Sequence, residues 1–488
     1  MDMENFIDSF LEFEEENKMF QVKIEGIKIW HLIRIQIYCY LAEQFGLGKL
    51  LLDFEPVKSD TVKRTWKDLI REKVVCNQYR AGRRDVLIFP NGAKYKDNQG
   101  YYRCRYTDLL DRAMTRPHYL LDGKSDEGGY ARQRSKNVLY ADLEIFKKIN
   151  QIKQDYKLIN KSELEKKIAA PIEKYYKCKI EVRFKQKGLD MVNTLLRIRG
   201  YFIDYYNYML HKIKPKIIII TCAYDWDKMF LCEVAKEKGI PVVELQHGTI
   251  GRLHISYNFK EKMYLSTFPD YIFVYGQLEK KKPRLPIDSS RVIPVGFPEL
   301  ENCYKTSRKE RRNIKKNRKQ ILFISQGIPE IAQYAEAAAN LLDNEKYRII
   351  FKLHPREYGN WKKIYRGYLK NPDIEVFGDY DKSIYDFLAE SDWVIGSFST
   401  SLYEATMFDI KIAIIKTPMD ADMKELYLNG YALLVESPQQ LAQEIMEDSF
   451  KRNPAVNIYE KNSIENMLKW IDKIIRITDR KEAGNSTN

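Results

Sequence analysis

The sequence predicts an α/β protein built from two Rossmann-like, doubly wound parallel sheets with a cleft between them. Two observations set the class. Runs of β-forming residues alternate with helix-length stretches twice over, once between about residues 85 and 296 and again from residue 320 onward, and strands spaced by helices argue parallel sheets. Between the two series lies a strongly basic stretch, 305–319, almost devoid of apolar residues, which reads as an exposed linker. A third observation points to a site. His247, His354 and the serine-rich segment Gly396–Ser401 each directly follow a β-forming run, and the carboxyl ends of strands are where open α/β sheets bind ligands.

Taken in order, residues 1–80 form a helical N-terminal region packed on the first domain. Phe6, Ile7, Phe10, Leu11 and Phe13 recur at helical spacing, and Trp30 to Leu41 reads as an apolar-rich helix. The first Rossmann-like domain spans 81–304. It opens with the strand Asp85–Phe89 and has a charged helical region from about 140 to 212. The strand Lys216–Thr221, the helix Lys228–Lys238 and strands at 239–245, 270–275 and 291–296 follow. After the linker, the second domain, 320–475, repeats the pattern. Its strands are 320–325, 347–353, 374–377, 393–395 and 411–415, and its helices 329–343, 384–390 and 402–407. A tail from 476 to 488 is expected to be disordered.

Bulk properties narrow the function classes. A chain of 488 residues is too long for one ordinary core. An apolar content of 44% with 31% charged residues is that of a globular protein. No apolar run reaches the roughly 18–20 residues that a membrane span needs. The acidic first residues lack the plan of a signal peptide, and the seven scattered cysteines contain no C-x-x-C pair, so neither a disulfide framework nor a zinc site is expected. A cytoplasmic location follows. The net charge of +14, from 82 Lys and Arg against 68 Asp and Glu, attracts polyanions. Most of the excess is expected on solvated faces; with no nucleic-acid-binding signature present, the expected specific partner, if there is one, is an anionic membrane surface at the inner face of the plasma membrane, not nucleic acid.

The site candidates follow from position and chemistry. His354 follows a strand and precedes Pro355, which blocks continued pairing. It can donate a hydrogen bond to a phosphate oxygen, more strongly when protonated, and Arg356 can add a bidentate contact; the alternative is a histidine that merely caps a strand end. Ser397, Ser399, Thr400 and Ser401 lie between a strand and a helix start. There hydroxyls and free N–H groups make a phosphate cradle or an ordinary N-cap. Glu404, inside that helix, is placed to accept from sugar hydroxyls. From the first domain, Gln246, His247, Gly248 and Thr249 supply an opposing wall on the acceptor side. Gly248 allows close backbone approach, and His247 is a general base, a binding group or a structural residue. Asp225 and Asp227 border the same edge as a base, a metal pair or a helix N-cap, with the cap preferred. No metal site and no cofactor are expected.

The order of elements resembles a GT-B glycosyltransferase. Within that fold, His354-Pro355 followed by Ser399-Thr400-Ser401 is similar to the His-Pro and Ser/Thr-Ser motifs of bacterial sialyltransferases and capsule Kdo transferases. His247-Gly248 is similar to an element of the teichoic-acid glycerophosphotransferases, which use CDP-glycerol. The resemblance spans about residues 215–420. It implies that the His-Pro and serine motifs bind the CMP portion of a donor and that the His-Gly element, or an acidic residue, is the base. Non-hydrolysing UDP-N-acetylglucosamine epimerases share the architecture, but their Asp-Ser-Gly-Gly loop is missing at Gly396–Ser401 and their His-Arg-x-Glu-Asn element is absent from Ser325–Glu330. The acidic-acidic-Gly element of several sialyltransferases is matched in letters by Asp126-Glu127-Gly128, without a preceding strand. The expected function is therefore a metal-independent glycosyltransferase of bacterial capsular or other surface polysaccharide synthesis. Its partners are a CMP- or CDP-linked sugar and a glycan or lipid-linked acceptor. The alternatives are a CDP-glycerol-type glycerophosphotransferase and a non-catalytic polyanion-binding protein.

Overall fold

The architecture was obtained as a computed structural model. It describes residues 3–47, 66, 70, 74, 76–90, 94–96, 99–122, 135–140, 161–248, 250–252, 254–281, 284–311, 317–378, 382–417, 423–453 and 457–485. Thr249, the Asp126-Glu127-Gly128 segment and most of the second half of the expected 1–80 helical region lie outside the described residues.

Among the described residues, thirteen strands build the two large sheets. In chain order, the first seven are β1 (Val86–Ile88), β2 (His118–Asp122), β3 (Val138–Tyr140), β4 (Ile217–Thr221), β5 (Val242–Leu245), β6 (Tyr271–Val274) and β7 (Val292–Pro294). The next six are β8 (Lys319–Ile324), β9 (Tyr347–Lys352), β10 (Ile374–Phe377), β11 (Trp393–Gly396), β12 (Lys411–Ile415) and β13 (Leu433–Val435). The first sheet runs β7-β6-β5-β4-β1-β2-β3 and the second β10-β9-β8-β11-β12-β13. These are two Rossmann-like parallel-sheet domains. β4 shows why the strands form: Ile-Ile-Ile-Ile-Thr is buried along its whole length, as expected where helices cover both faces of a parallel sheet. In the second sheet the chain moves outward from β8 to β10, then returns to the other side of β8 as β11. The order therefore reverses between β8 and β11, and such a reversal opens a crevice at the strands' carboxyl ends.

Contacts group residues 1–274, 282–293 and 464–488 into one compact unit, and 275–281 with 294–463 into another. The first unit's core joins the N-terminal helices Met3–Glu16 and Trp30–Gln44 to the sheet: Phe6, Phe10 and Trp30 share one apolar cluster with Leu87, Ile218 and Ile220. Helix Trp30–Gln44 is buried nearly all round, which is why its sequence shows no polar face. Within that cluster Arg34 is 1% exposed and Glu14 3%. The guanidinium donates to Glu14 Oε1 at 2.5 Å and Oε2 at 2.7 Å.

Several expectations differ from the structure. The basic stretch 305–319 is not a free linker at its start: Lys305–Arg311 are the last turns of the helix Pro298–Arg311, and Lys319 opens β8. The transition between units falls instead at residues 293 and 294. The tail from 476 is helical through Asn485, as part of the helix Ser463–Asn485. Ile471, Ile474 and Ile475 bury one face of that helix. Arg116 and Lys216 pair with its Asp472 and Asp479 at 2.6 and 2.9 Å. Strands β2, β3 and β13 were not expected. β2 carries His118 and Asp122 in buried positions, so its apolar signature is interrupted by polar groups that have partners.

Candidate functional site

In the second unit, three chain segments meet the carboxyl edge on neighbouring strands. Ser325 follows β8, His354 follows β9 and Ser397 follows β11, with adjacent strands spaced roughly 4.8 Å. His354 is held by a polar network. Its N–H donates to Ser325 Oγ at 2.8 Å, and Ser325 Oγ donates to Glu357 Oε2 at 2.5 Å. Tyr365 donates to the same carboxylate oxygen at 3.2 Å and accepts from the Gly327 N–H at 3.1 Å. The capping role, given as the alternative, is present: His354 Nδ1 accepts from the Arg356 N–H at 3.3 Å and heads the short 3-10 turn Pro355–Glu357. With Nδ1 accepting, the ring proton sits on Nε2. Burial lowers the His354 pKa, helped by the Arg356 charge and opposed by Glu357. The donor offered at neutral pH is therefore a neutral Nε2–H, not the stronger, protonated form. Pro355 and Arg356 are exposed.

The serine segment divides by role. Ser399 is the N-cap of the helix Thr400–Glu404, its Oγ accepting from the Ser401 N–H at 3.3 Å. Thr400 is exposed and Ser401 half-buried. Ser397 is fully buried and shares a 2.5 Å hydrogen bond with Thr417 Oγ1, at the end of the neighbouring β12, so its hydroxyl braces the loop. Gly396 is closely packed: a Cβ there would lie 3.3 Å from Leu402 Cδ1 and 3.4 Å from the Ile324 carbonyl, so the Leu402 side chain would have to give slightly. Glu404 is 8% exposed and helps to raise the pKa of the buried Tyr459 hydroxyl. It sits inside the unit, which leaves little of it for a sugar.

In the first unit, His247 ends the turn after β5. Tyr224, from the loop after β4, lies with its hydroxyl 3.0 Å from His247 Nε2, and Tyr106 donates to the His247 carbonyl at 2.5 Å. The rings of Tyr224, His254 and Tyr257 surround the imidazole: Tyr224 is 5.5 Å from each histidine, and Tyr257 is 4.9 Å from His254. His254, seven residues along the chain from His247, is thus also near it in space. Burial, then the neighbouring His254, pushes His247 down to about 4. Burial does the same to His254. Both imidazoles are neutral at pH 7. Gln246 is buried and donates to the Gly248 carbonyl at 2.7 Å, bracing the turn. A Cβ at Gly248 would meet nothing within 4 Å, so the backbone there has open space beside it.

Asp225 stands at the N-cap of the helix Trp226–Glu237 but makes no side-chain cap hydrogen bond. It reaches solvent, yet crowding by surrounding protein and then by the Asp227 carboxylate raises it to about 6. Asp227 pairs with Lys228 at 2.5 Å. Among the described residues, no group of three or more His, Cys, Asp and Glu side chains could hold a metal ion.

Sequence reasoning missed Ser325, Glu357 and Tyr365 around His354, and Glu244, Tyr224 and Tyr257 around His247. One signal was available. Glu244 is an acid in the middle of the buried strand Val-Val-Glu-Leu, where an unpaired charge is costly.

The sequence matches no protein-family model, and it matches no curated protein sequence. Among solved structures, the UDP-GlcNAc 2-epimerase of Methanocaldococcus jannaschii is similar at 12% identity, with 80% of this chain and 99% of that chain covered and a TM-score of 0.47. MurG of Acinetobacter baumannii is similar at 13% identity, 80% and 99% coverage and a TM-score of 0.43. The wall teichoic acid polymerase TagF is similar at 10% identity, 84% and 93% coverage and a TM-score of 0.45.

Proposed function

We propose that this chain is a glycosyltransferase that uses a nucleotide-activated donor, CMP- or CDP-linked, in the synthesis of a bacterial surface polysaccharide. The observation that carries the reading is the second unit's carboxyl edge. There a fixed neutral His354 Nε2–H and the exposed Arg356 follow β9, and the capped start of the helix Thr400–Glu404 follows β11, the strands on either side of β8. Hydrogen-bond donors and a helix start are what a donor's phosphate needs as the leaving group gains charge. In the first unit, a neutral His247 has a lone pair for a hydroxyl proton. It would act as base in substitution at the donor's anomeric carbon, or at phosphorus if the donor is CDP-glycerol. A membrane-tethered acceptor fits the net charge of +14; among the described residues, no helix is long and apolar enough to cross a membrane.

A thermal-shift screen against CMP, CDP, UDP and GDP tests the reading, because a ligand that binds only the folded state stabilises by RT ln(1 + [L]/Kd). Cytidine nucleotides at millimolar concentration should raise the melting temperature most. A preference for UDP would move the protein to the UDP-sugar enzymes, and no response to any nucleotide would favour a polyanion-binding protein.

A further inference from the structure

Glu244 and His247 face each other with two buried polar atoms that no described residue satisfies. Glu244 is fully buried. Its Oε1 accepts the Ala223 N–H at 2.9 Å and the Tyr257 hydroxyl, while Oε2 has no partner among the described residues. His247 Nδ1 is equally without one, and it lies 3.8 Å from Glu244 Oε1. That separation is too long for a hydrogen bond but within reach of one after a small ring rotation. The other ring nitrogen, Nε2, is the one facing the Tyr224 hydroxyl.

We propose that Glu244 is the positioning residue that fixes the tautomer of His247, keeping the ring proton on Nδ1 so that Nε2 presents its lone pair to the acceptor hydroxyl. This rests on the reading of His247 as the base. The imidazole tautomer is set by what its other nitrogen faces, and a buried carboxylate beside Nδ1 favours the Nδ1–H form and stabilises the imidazolium that forms. The Tyr224 hydroxyl then donates to Nε2 and holds the place of the acceptor. When an acceptor hydroxyl takes that place, its proton moves to Nε2 as its oxygen bonds to the donor carbon. The bond to the nucleotide phosphate breaks with its electron pair leaving on the phosphate oxygen, and Glu244 faces the resulting positive ring.

The electrostatic setting agrees. Burial, opposed by the Ala223 and Tyr257 hydrogen bonds and reinforced by Asp225, raises Glu244 to about 7. The pair therefore holds a carboxyl that is partly ionised at neutral pH beside an imidazole that is neutral. The other titratable groups around it are Cys222, Tyr224 and Asp225 from the loop after β4, Cys232 from the helix Trp226–Glu237, His254 and Tyr257 from the 254–257 segment, and Tyr106 against the His247 carbonyl.

The test is nitrogen-15 NMR on the full chain with labelled histidine, the His247 signals being assigned by their loss in His247→Gln. In the wild type, Nδ1 should be protonated and Nε2 not. In Glu244→Gln, which keeps the side chain's shape and its acceptor for the Ala223 N–H, the Nδ1–H share should fall, and Glu244→Asp should restore part of it. Turnover in Glu244→Gln should drop by about 10²-fold or more, as when the carboxylate that sets a catalytic histidine's tautomer is removed, with donor KM and the nucleotide melting shift unchanged. A wild-type His247 carrying its proton on Nε2, or an unchanged tautomer in Glu244→Gln, overturns the proposal. The wild-type spectrum alone decides this if the variant does not fold. Because the ring-nitrogen signal needs neither donor nor turnover, it is separate from failure of the glycosyltransferase reading, which would appear as no nucleotide raising the melting temperature.

Discussion

Replacing Arg34 by Met should destabilise the first unit and weaken the His247 site with it. Arg34 donates to both oxygens of Glu14, and also to the Ile255 carbonyl at 2.5 Å and the Asn258 carbonyl at 2.6 Å. Its guanidinium lies 4.3 Å from the Phe259 ring centroid. Methionine keeps much of the volume and removes every donor. Glu14 then remains buried with only the Trp30 Nε1–H, at 2.6 Å, among its described partners. Breaking a buried pair from one side costs about 3–5 kcal/mol, and the two carbonyls lose their donors as well. For a unit of this size that is a drop on the order of 10 °C in its melting transition. The double variant Glu14→Leu with Arg34→Met should recover part of the loss, because it removes the stranded carboxylate. The two carbonyls bracket Tyr257, whose hydroxyl donates to Glu244, so turnover should fall more than nucleotide binding does. Calorimetry of the three proteins decides the matter. An Arg34→Met transition within about 1 kcal/mol of wild type would refute the claim that this pair pins the 255–258 segment.

Three further outcomes are expected. His354→Ala should weaken nucleotide binding about 10- to 150-fold, the worth of roughly 1.5–3 kcal/mol for a hydrogen bond to a charged phosphate. Titration calorimetry measures it, and unchanged affinity would remove His354 from the donor site. His118 is 5% exposed, and burial alone would lower its pKa, but the Asp111 carboxylate at 2.8 Å and the Arg116 carbonyl outweigh burial and raise it. Its contribution to stability is therefore full below the unfolded value of about 6.5 and is lost as pH rises through the folded value. Melting curves across that range should show a decline that His118→Gln flattens. Gly276→Ala should destabilise the second unit by about 1–3 kcal/mol, since a Cβ there would lie 2.0 Å from the Ile458 carbonyl oxygen; a neutral result in thermal unfolding would show that the 458 segment moves aside freely.

How much of this was legible in the sequence depends on where each residue finds its partner. Strands such as Ile217–Thr221 and Lys411–Ile415 announce themselves because both faces are covered and nearly every side chain is apolar. His118–Asp122 does not, because its polar ends are satisfied from elsewhere: His118 by Asp111, and Asp122 by Lys94. The lysine lies 28 residues away and the histidine's partner lies in a short helix, so no local pattern marks the strand as buried. The same limit hid the support of His354. The sequence shows a histidine after a strand, but Ser325 and Tyr365 arrive from the end of a neighbouring strand and from beyond a turn. The tail was misread for the converse reason. Its last residues are small and polar, while the apolar face at Ile471, Ile474 and Ile475 continues one helix beneath them.

Glu244 is the instructive contrast with Asp122. Both are buried acids in strands of the same sheet. Asp122 has a cation, so its burial is accounted for by structure alone. Glu244 has an N–H, a hydroxyl and an imidazole, and no Lys or Arg partner among the described residues. Hydrogen bonds to a backbone N–H and a phenol offset part of the cost of burying a carboxylate, but burial still raises its pKa to about 7. An apolar residue at this position would avoid that cost and fit the parallel sheet as well as Val242 and Val243 do. An acid kept there without a counter-charge needs a use that valine cannot supply. Beside it, 3.8 Å from its Oε1, stands the His247 Nδ1, itself without a partner among the described residues.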